Sequence, residues 1–187
     1  MKTQTPNPVV HLKNVRLSYP AIFAPKPNID PNKPAKYEAS FILDKKVNAS
    51  DIKAMQAAIE TTKKHEKLKG KKPTKVCLRD GADTEARADA EGYGPDVMSV
   101  SSRNEKRPAV VNRDLTPLTA EDGKTYAGCY VNATIEVYPY VHPQSGPGIA
   151  ASLRAIQFYK DGEPFGGGVP VDPEKEFQRI EEEESPI

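Results

Sequence analysis

Four aspartates, Asp80, Asp83, Asp89 and Asp96, fall in one polar, glycine-containing stretch of the 187-residue chain. Carboxylates about one ion apart in space could hold the metals of a phosphoryl-transfer site. Here the spacing is too loose to define one. No phosphate-cradling P-loop and no G-x-S-x-G turn accompanies it. His11, His65 and His142 are scattered, and Cys77 and Cys129 form no C-x-x-C pair, so no metal set can be drawn. Both cysteines lie in strand-like runs and read as reduced and buried, with a disulfide between them left open. The residues favour no reaction, no cofactor and no metal.

Binding chemistry is better supported. From Gly128 to Tyr140 the chain alternates with period two. Cys129, Val131, Ala133, Ile135 and Val137 share one face; Tyr130, Asn132, Thr134, Glu136, Tyr138 and Tyr140 share the other. Strict alternation over that length predicts a long strand with one face in a core. Three rings on the other face are good strand formers in their own right. They are also what a protein needs to stack unpaired bases. Cations recur at the ends of the neighbouring segments: Lys36, Arg79, Arg103, Lys106, Arg107, Arg113, Arg154 and Lys160. Together with Tyr93, Tyr130, Tyr138, Tyr140 and Phe158 they form a candidate nucleic-acid-binding set, with charge for a backbone and rings for bases. Arg154 stands mid-strand, where its alternative is an ion pair with Glu136. Ile156 is expected on the same face as Arg154. Seven lysines between Lys63 and Lys75 read either as a solvated face or as a phosphate-contacting patch.

The elements that must position these residues are mostly strands. Val9–Tyr19 is a strand candidate in which Leu12 breaks the parity, predicting a bulge or two short pieces. Five prolines from Pro20 to Pro34 predict a loop. Tyr37, Ala39, Phe41 and Leu43 predict a second strand. Ser50 can cap a helix beginning at Asp51, with Ile52, Met55 and Ile59 on one stripe and Gly70 as its stop. Val76–Leu78 is a short strand, and Asp80–Pro95 a long exposed loop. Val97–Ser102, Ala109–Asn112 and Ile149–Lys160 complete the strands. Gly166-Gly167-Gly168 reads as a hinge, and Asp172-Pro173 opens a short helix carrying Phe177 and Ile180. The order predicts a mainly β fold: a five-stranded closed or nearly closed barrel with one helix between early strands, then a short C-terminal helix and an acidic tail. The expected division is a flexible arm over 1–8, a binding domain over 9–168, and a helix and tail over 169–187.

Charge is unevenly spread. Residues 1–171 carry 25 Lys+Arg against 19 Asp+Glu, a balance of +6; residues 172–187 carry 2 against 7, a balance of −5, and the two give the formal +1. A basic body suits a polyanionic ligand. The tail ends in Glu181, Glu182, Glu183, Glu184, Ser185, Pro186 and Ile187. It can compete for the groove as a nucleic-acid mimic, or meet a partner with a small apolar pocket and a basic rim. No signal peptide or membrane span can be drawn, so an intracellular, soluble protein is expected.

Six stretches, in order along nearly the whole chain, carry a family resemblance. They are Arg16-Leu-Ser-Tyr-Pro20 with Phe23, Lys36-Tyr37 through Phe41, Leu78-Arg-Asp-Gly81, Arg107-Pro108-Ala-Val-Val111, Tyr126-Ala-Gly-Cys-Tyr-Val131, and Asp161-Gly-Glu-Pro-Phe-Gly-Gly167. In these the chain resembles the phage and prophage single-stranded-DNA-binding proteins, relatives of the podovirus helix-destabilising protein. The resemblance implies an OB-fold and sequence-nonspecific coating of ssDNA during phage replication or recombination, in the cytoplasm of a bacterial host. It further implies a homodimer in many members and an acidic C-terminus that contacts replication or recombination proteins. The tail departs from the usual bacterial form, with Pro-Ile in place of Pro-Phe and Glu in place of Asp. Two competing readings remain: a phage structural or assembly protein whose sheet binds another protein, and a metal-dependent nuclease on branched DNA using Asp80 or Asp96.

Overall fold

In a computed structural model, which describes residues 6–83, 90–166 and 173–180, eight strands form one sheet. In chain order they are β1 (Val9–Lys26), β2 (Lys36–Asp44), β3 (Lys75–Val76), β4 (Leu78–Asp80), β5 (Val97–Asn104), β6 (Ala109–Val111), β7 (Tyr130–His142) and β8 (Gly146–Lys160). A helix α1 (Ala49–Lys63) lies between β2 and β3, and a four-residue α2 (Pro173–Glu176) follows β8. The pairings β1–β2, β2–β5, β5–β8, β8–β7 and β7–β1 return to their start, giving the closed five-stranded barrel of an OB-fold.

Closure depends on β1, which is long enough to pair with β7 through its first half and with β2 through its second. Register slips between Leu12 and Val15, Ser18 and Ala21, and Ala21 and Lys26 bend it. The parity break expected at Leu12 is a register slip between Leu12 and Val15, with Asn14 at φ 51°. Val10 and Leu12 before the slip, and Val15 and Leu17 after it, all reach the core. Asn48 holds the slip from below, its Nδ2 donating to the carbonyls of Lys13 (3.0 Å) and Asn14 (3.3 Å). The second slip, between Ser18 and Ala21, corrects the expected loop from Pro20. The strand continues to Lys26, because a bulge there accommodates a proline that a regular ladder would reject.

The core is apolar and mostly aliphatic. Leu17, Phe41, Leu43, Val100, Ile135 and Leu153 are fully buried within the barrel, each worth about 1.5–3 kcal/mol of burial. Helix α1 packs Ile52, Met55, Ala58 and Ile59 against β1, β2, β7 and β8. It starts two residues earlier than expected, at Ala49 after Asn48, and ends at Lys63 well short of Gly70. The intervening residues form a 3-10 turn over Glu66–Leu68 that buries Leu68 and is capped by His65, whose Nδ1 accepts from the Lys67 amide at 3.1 Å. The strand expected over Val76–Leu78 is two strands: β3 runs parallel to β8, β4 antiparallel to β5, and buried Cys77 stands between them. Asn7 and Pro8, at the end of the expected arm, bond to β7 through Glu136 and Val137. Phe177 and Ile180, expected within the C-terminal helix, follow α2 and are exposed.

Candidate nucleic-acid interface

On the outer face of β1, β2 and β5 the register lines side chains into rows. Arg16, Ile42, Ser99 and Arg79 form one; Ser18, Ser40 and Ser101 form the next; Glu38, Arg103 and Ser152 of β8 form the third. The middle row has only hydroxymethyl groups, so it is a trough between taller neighbours. Its open part is a groove of about 260 Å³ lined by Tyr19, Lys26, Glu38, Ser40, Ser101, Ser102 and Arg103. In a five-stranded OB barrel the second and third strands, here β2 and β5, present the surface on which oligonucleotides lie.

One wall of the groove is aromatic. Tyr19 sits in the second bulge of β1 at φ 46°, a left-handed conformation costly for a bulky residue. The bulge turns its ring out of the ladder, leaving the residue 51% exposed. Tyr93 from the β4–β5 loop stands beside it, ring centroids 6.4 Å apart and planes tilted by 40°. The opposite wall is charged. Glu38 Oε1 accepts from Lys26 Nζ at 2.9 Å, and Arg103 Nε lies 3.4 Å from its Oε2. That carboxylate is only 18% exposed, whereas both cations stand mostly in solvent. Lys36 is paired across from Lys26 at the mouth of the hairpin.

Beside the groove a second cluster forms around Arg16. Its Nε donates to the Gly128 carbonyl (3.1 Å) and its Nη2 to the Glu163 carbonyl (2.6 Å). The guanidinium lies 4.2 Å from the Phe165 ring centroid and 5.9 Å from that of Tyr130, with Lys160 Nζ 4.8 Å from the Tyr130 ring. Arg16 therefore ties the segment after β8 onto the barrel face. Phe165 packs over Gly92, where a Cβ would come within 2.5 Å of the ring, and Ile42 is covered in turn.

Tyr138 and Tyr140 lie further round, on the outer face of β7, both half-buried. Tyr140 is laid across Gly148 of β8, where a Cβ would fall 2.3 Å from its Cζ. Tyr138 shares a hollow of about 600 Å³ with Pro6, Asn7, Val9, His65, Lys67, Glu136 and Pro139. Burial raises the Tyr138 phenol above the ordinary range, with smaller upward contributions from Tyr140 and Cys77, while Arg103 pulls the other way.

Of the expected binding residues, Tyr93 and Arg103 border the groove; Lys36 stands at its mouth, and Arg79 on β4 lies in the row beside its floor. Tyr130 and Lys160 meet at the Arg16 cluster, and Tyr138 and Tyr140 occupy the β7 face. Lys106 and Arg107 are exposed in the β5–β6 turn. Arg113 is turned away, its Nη1 donating to the Tyr159 carbonyl and its guanidinium over that ring. Two expectations are corrected. Phe158 faces inward and is 8% exposed, packed among aliphatic side chains, so it offers no ring to a ligand. Arg154 and Ile156 do not share a face. The β7–β8 register skips Arg154, pairing Ile135 with Leu153 and Thr134 with Ala155, so Arg154 bulges outward while Ile156 is buried. Glu136, its expected ion partner, accepts instead from Asn7 Nδ2 at 3.0 Å. Tail residues Glu181, Glu182, Glu183, Glu184, Pro186 and Ile187 and loop residue Asp89 lie outside the described residues, as does the hinge from Gly167 on.

Sequence reasoning missed Tyr19, Arg16, Lys26 and the serine floor. Tyr19 and Arg16 belong to the Arg16–Pro20 stretch that carried the resemblance, which was the available signal. As for reactive groups, Asp80 is bound to Lys45 Nζ at 2.7 Å, which holds its carboxyl below the usual range. Among the described residues no group of three or more His, Cys, Asp or Glu could hold a metal. Burial pushes the thiols of Cys77 and Cys129 up to about 11 and about 12, and both are free. No helix among the described residues is long and apolar enough to cross a membrane.

Three comparisons bear on this geometry. A family model described as "Enterobacter phage Enc34, ssDNA-binding protein" matches residues 8–186. A relative from Acyrthosiphon pisum secondary endosymbiont phage 1, named putative protein p50, is 38% identical over 94% of this chain and 97% of its own. The single-stranded DNA-binding protein of bacteriophage Enc34, solved in complex with ssDNA, superposes with a TM-score of 0.73 at 24% identity, covering 89% of this chain and 100% of that one. The gp2.5 single-stranded DNA-binding protein of bacteriophage T7 gives 0.53 at 14% identity, covering 88% and 98%. At those identities the two solved structures speak to the fold.

Proposed function

The chain belongs to the Enterobacter phage Enc34 ssDNA-binding protein family, and on that footing we propose that it binds single-stranded DNA without regard to sequence and shields it during phage DNA replication or recombination. The observation that carries this reading is the β1–β2–β5 groove, with tyrosines on one wall and Lys26 and Arg103 on the other. Rings stack on any base and cations track any backbone, so sequence tolerance follows from the chemistry of the walls. The protein acts by binding alone, in the host cytoplasm, with no cofactor. Residues 9–168 are the binding domain, residues 169–187 a short helix and acidic tail, and the tail from Glu181 on is the contact for a replication or recombination protein.

The decisive measurement is titration of a fluorescent oligo-dT in rising salt. Affinity falls with a log–log slope of about −0.7 per phosphate neutralised. Absence of single-strand binding, or equal binding to duplex, overturns the proposal. The first of these, together with a stable complex with a particle component, would favour an assembly role. Cleavage of branched DNA with magnesium, lost on changing Asp80 or Asp96, would favour a nuclease.

In this reading the acidic tail competes with DNA for the groove. Gly166, anchored by its amide to Glu91 Oε2 at 2.9 Å, leaves the barrel beside the Arg16 cluster, and the residues from 172 on carry a balance of −5. Deleting Glu181–Ile187 therefore tightens ssDNA binding; weaker binding by the truncated chain refutes the competition.

A further inference from the structure

The groove does not end at Arg103. Beyond β5 runs β8, and the residues it turns outward there are Ser152, Ala150 and Gly148. Ser152 lies opposite Arg103 on one side and Glu136 on the other; Ala150 lies opposite Tyr138, and Gly148 opposite Tyr140. No side chain in that run is taller than a hydroxymethyl, and Gly148 is covered by the Tyr140 ring, so at Ser152 and Ala150 β8 is a low sill between the groove and the tyrosine pair. The crossing from β5 to β7 is two strand spacings, about 10 Å.

On the far side the rings meet positive charge. Lys67 and His65 line the hollow beside Tyr138, while Lys75, on β3 at the edge of β8 opposite β7, is paired with Gly148, over which Tyr140 lies. The lysine-rich segment is fastened there. Thr74 donates its amide to the Pro147 carbonyl at 2.9 Å, and its Oγ1 contacts the carbonyls of Ser145 (2.9 Å) and Pro147 (3.0 Å). Lys67, Lys69, Lys71, Lys72 and Lys75 are all exposed, and among the described residues none is in an ion pair. One carboxylate, Glu136, lines the hollow, and Asn7 donates to it. Lys67 and Lys75, close to two outward rings and joined by the exposed lysines between them in the chain, repeat the composition of the groove on a second surface.

We propose that single-stranded DNA leaving the groove crosses β8 over Ser152 and Ala150 and continues on the outer face of β7, where Tyr138 and Tyr140 stack bases and Lys67, Lys71, Lys72 and Lys75 contact phosphates. This extension rests on the groove reading, and it makes the footprint longer than the groove alone.

Length dependence tests it. Oligo-dT of about 6 and about 16 nucleotides, within the range of OB-fold site sizes, is titrated at about 0.15 M salt, where exposed charges are screened beyond about 8 Å. With Lys67, Lys71, Lys72 and Lys75 all changed to Gln, the longer oligonucleotide loses about tenfold or more in affinity, and its salt slope shallows by about 0.7 for each phosphate that is no longer neutralised. The shorter one changes less than about twofold. Tyr140→Leu, which keeps an apolar cover over Gly148, follows the same length rule. An equal loss at both lengths, or none at either, overturns the extension. Tyr19→Ala weakens both lengths if the groove is the primary site. If it weakens neither, the groove reading itself fails, and the two failures are thereby told apart.

Discussion

Glu38 stands between Lys26 and Arg103, and replacing it with Gln tests whether those cations are there to hold a phosphate. In the free protein the carboxylate holds both cations, at 2.9 and 3.4 Å. A DNA backbone entering the groove must take them over. Exposed ion pairs of this kind are worth about 0.2–1 kcal/mol each, so freeing two cations contributes roughly 0.4–2 kcal/mol to binding. At 1.4 kcal/mol per decade that is about a 2- to 30-fold gain in affinity. The salt dependence changes independently. Lys26, Arg103 and Glu38 sum to +1, and without the carboxylate charge they sum to +2, so the log–log slope steepens by about 0.7 for one further phosphate neutralised. Titrating Glu38→Gln and the parent with the same oligo-dT across a salt series reads both quantities. Thermal melting checks that Gln keeps the fold. Unchanged or weaker affinity with an unchanged slope refutes the reasoning, and would make Glu38 a group that positions Arg103.

Other expectations follow from the same geometry. Tyr19→Ala costs about 1–3 kcal/mol of ssDNA affinity if a base stacks on that ring, measured by the same titration; parent-like affinity overturns the groove reading. Phe158→Ala costs about 3–5 kcal/mol of folding stability in denaturant titration, and while the variant remains folded its ssDNA affinity is that of the parent. A loss of affinity without a loss of stability would return Phe158 to the interface. The Asp44 carboxylate accepts from the amides of Val47 and Lys46, which lower its pKa below the ordinary value near 3.8. A lowered folded-state value stabilises above the unfolded value and is lost as pH falls through the folded one. Stability therefore declines below pH about 4, and Asp44→Ala flattens that limb of the stability–pH curve.

The barrel was legible where side-chain period alone decides the structure. The Tyr130–Tyr140 alternation specified which face of β7 is buried, because a strand with one apolar face has a single register that keeps it in the core. It failed where one residue shifts the phase. Arg154 is skipped in the ladder, so Ile156 and Phe158 turn inward although simple alternation from Arg154 puts them on its outward face. The proline count over 20–34 argued for a loop because it carries no information about bulges, and a bulge is what lets β1 continue to Lys26. The groove was the least legible part. Its floor comes from three strands brought together by long-range pairing, and the outward turn of Tyr19 depends on a backbone conformation that its residue type disfavours.

The barrel is shut along its last seam by very little. Strands β7 and β8 pair along their whole lengths, but among the described residues the β5–β8 ladder is only Ser102 with Ala151 and Arg103 with Ser152, helped by Asn104 Nδ2 donating to the Leu153 carbonyl at 2.9 Å, since the earlier part of β5 is taken by β4. Few backbone bonds must break for the cylinder to gape there, so the amides of that junction should exchange with solvent sooner than those of the β7–β8 hairpin. The same junction carries Arg103. A strand of DNA bridging β5 and β8 would act as a clasp across it, slowing that exchange and raising the melting temperature in proportion to occupancy.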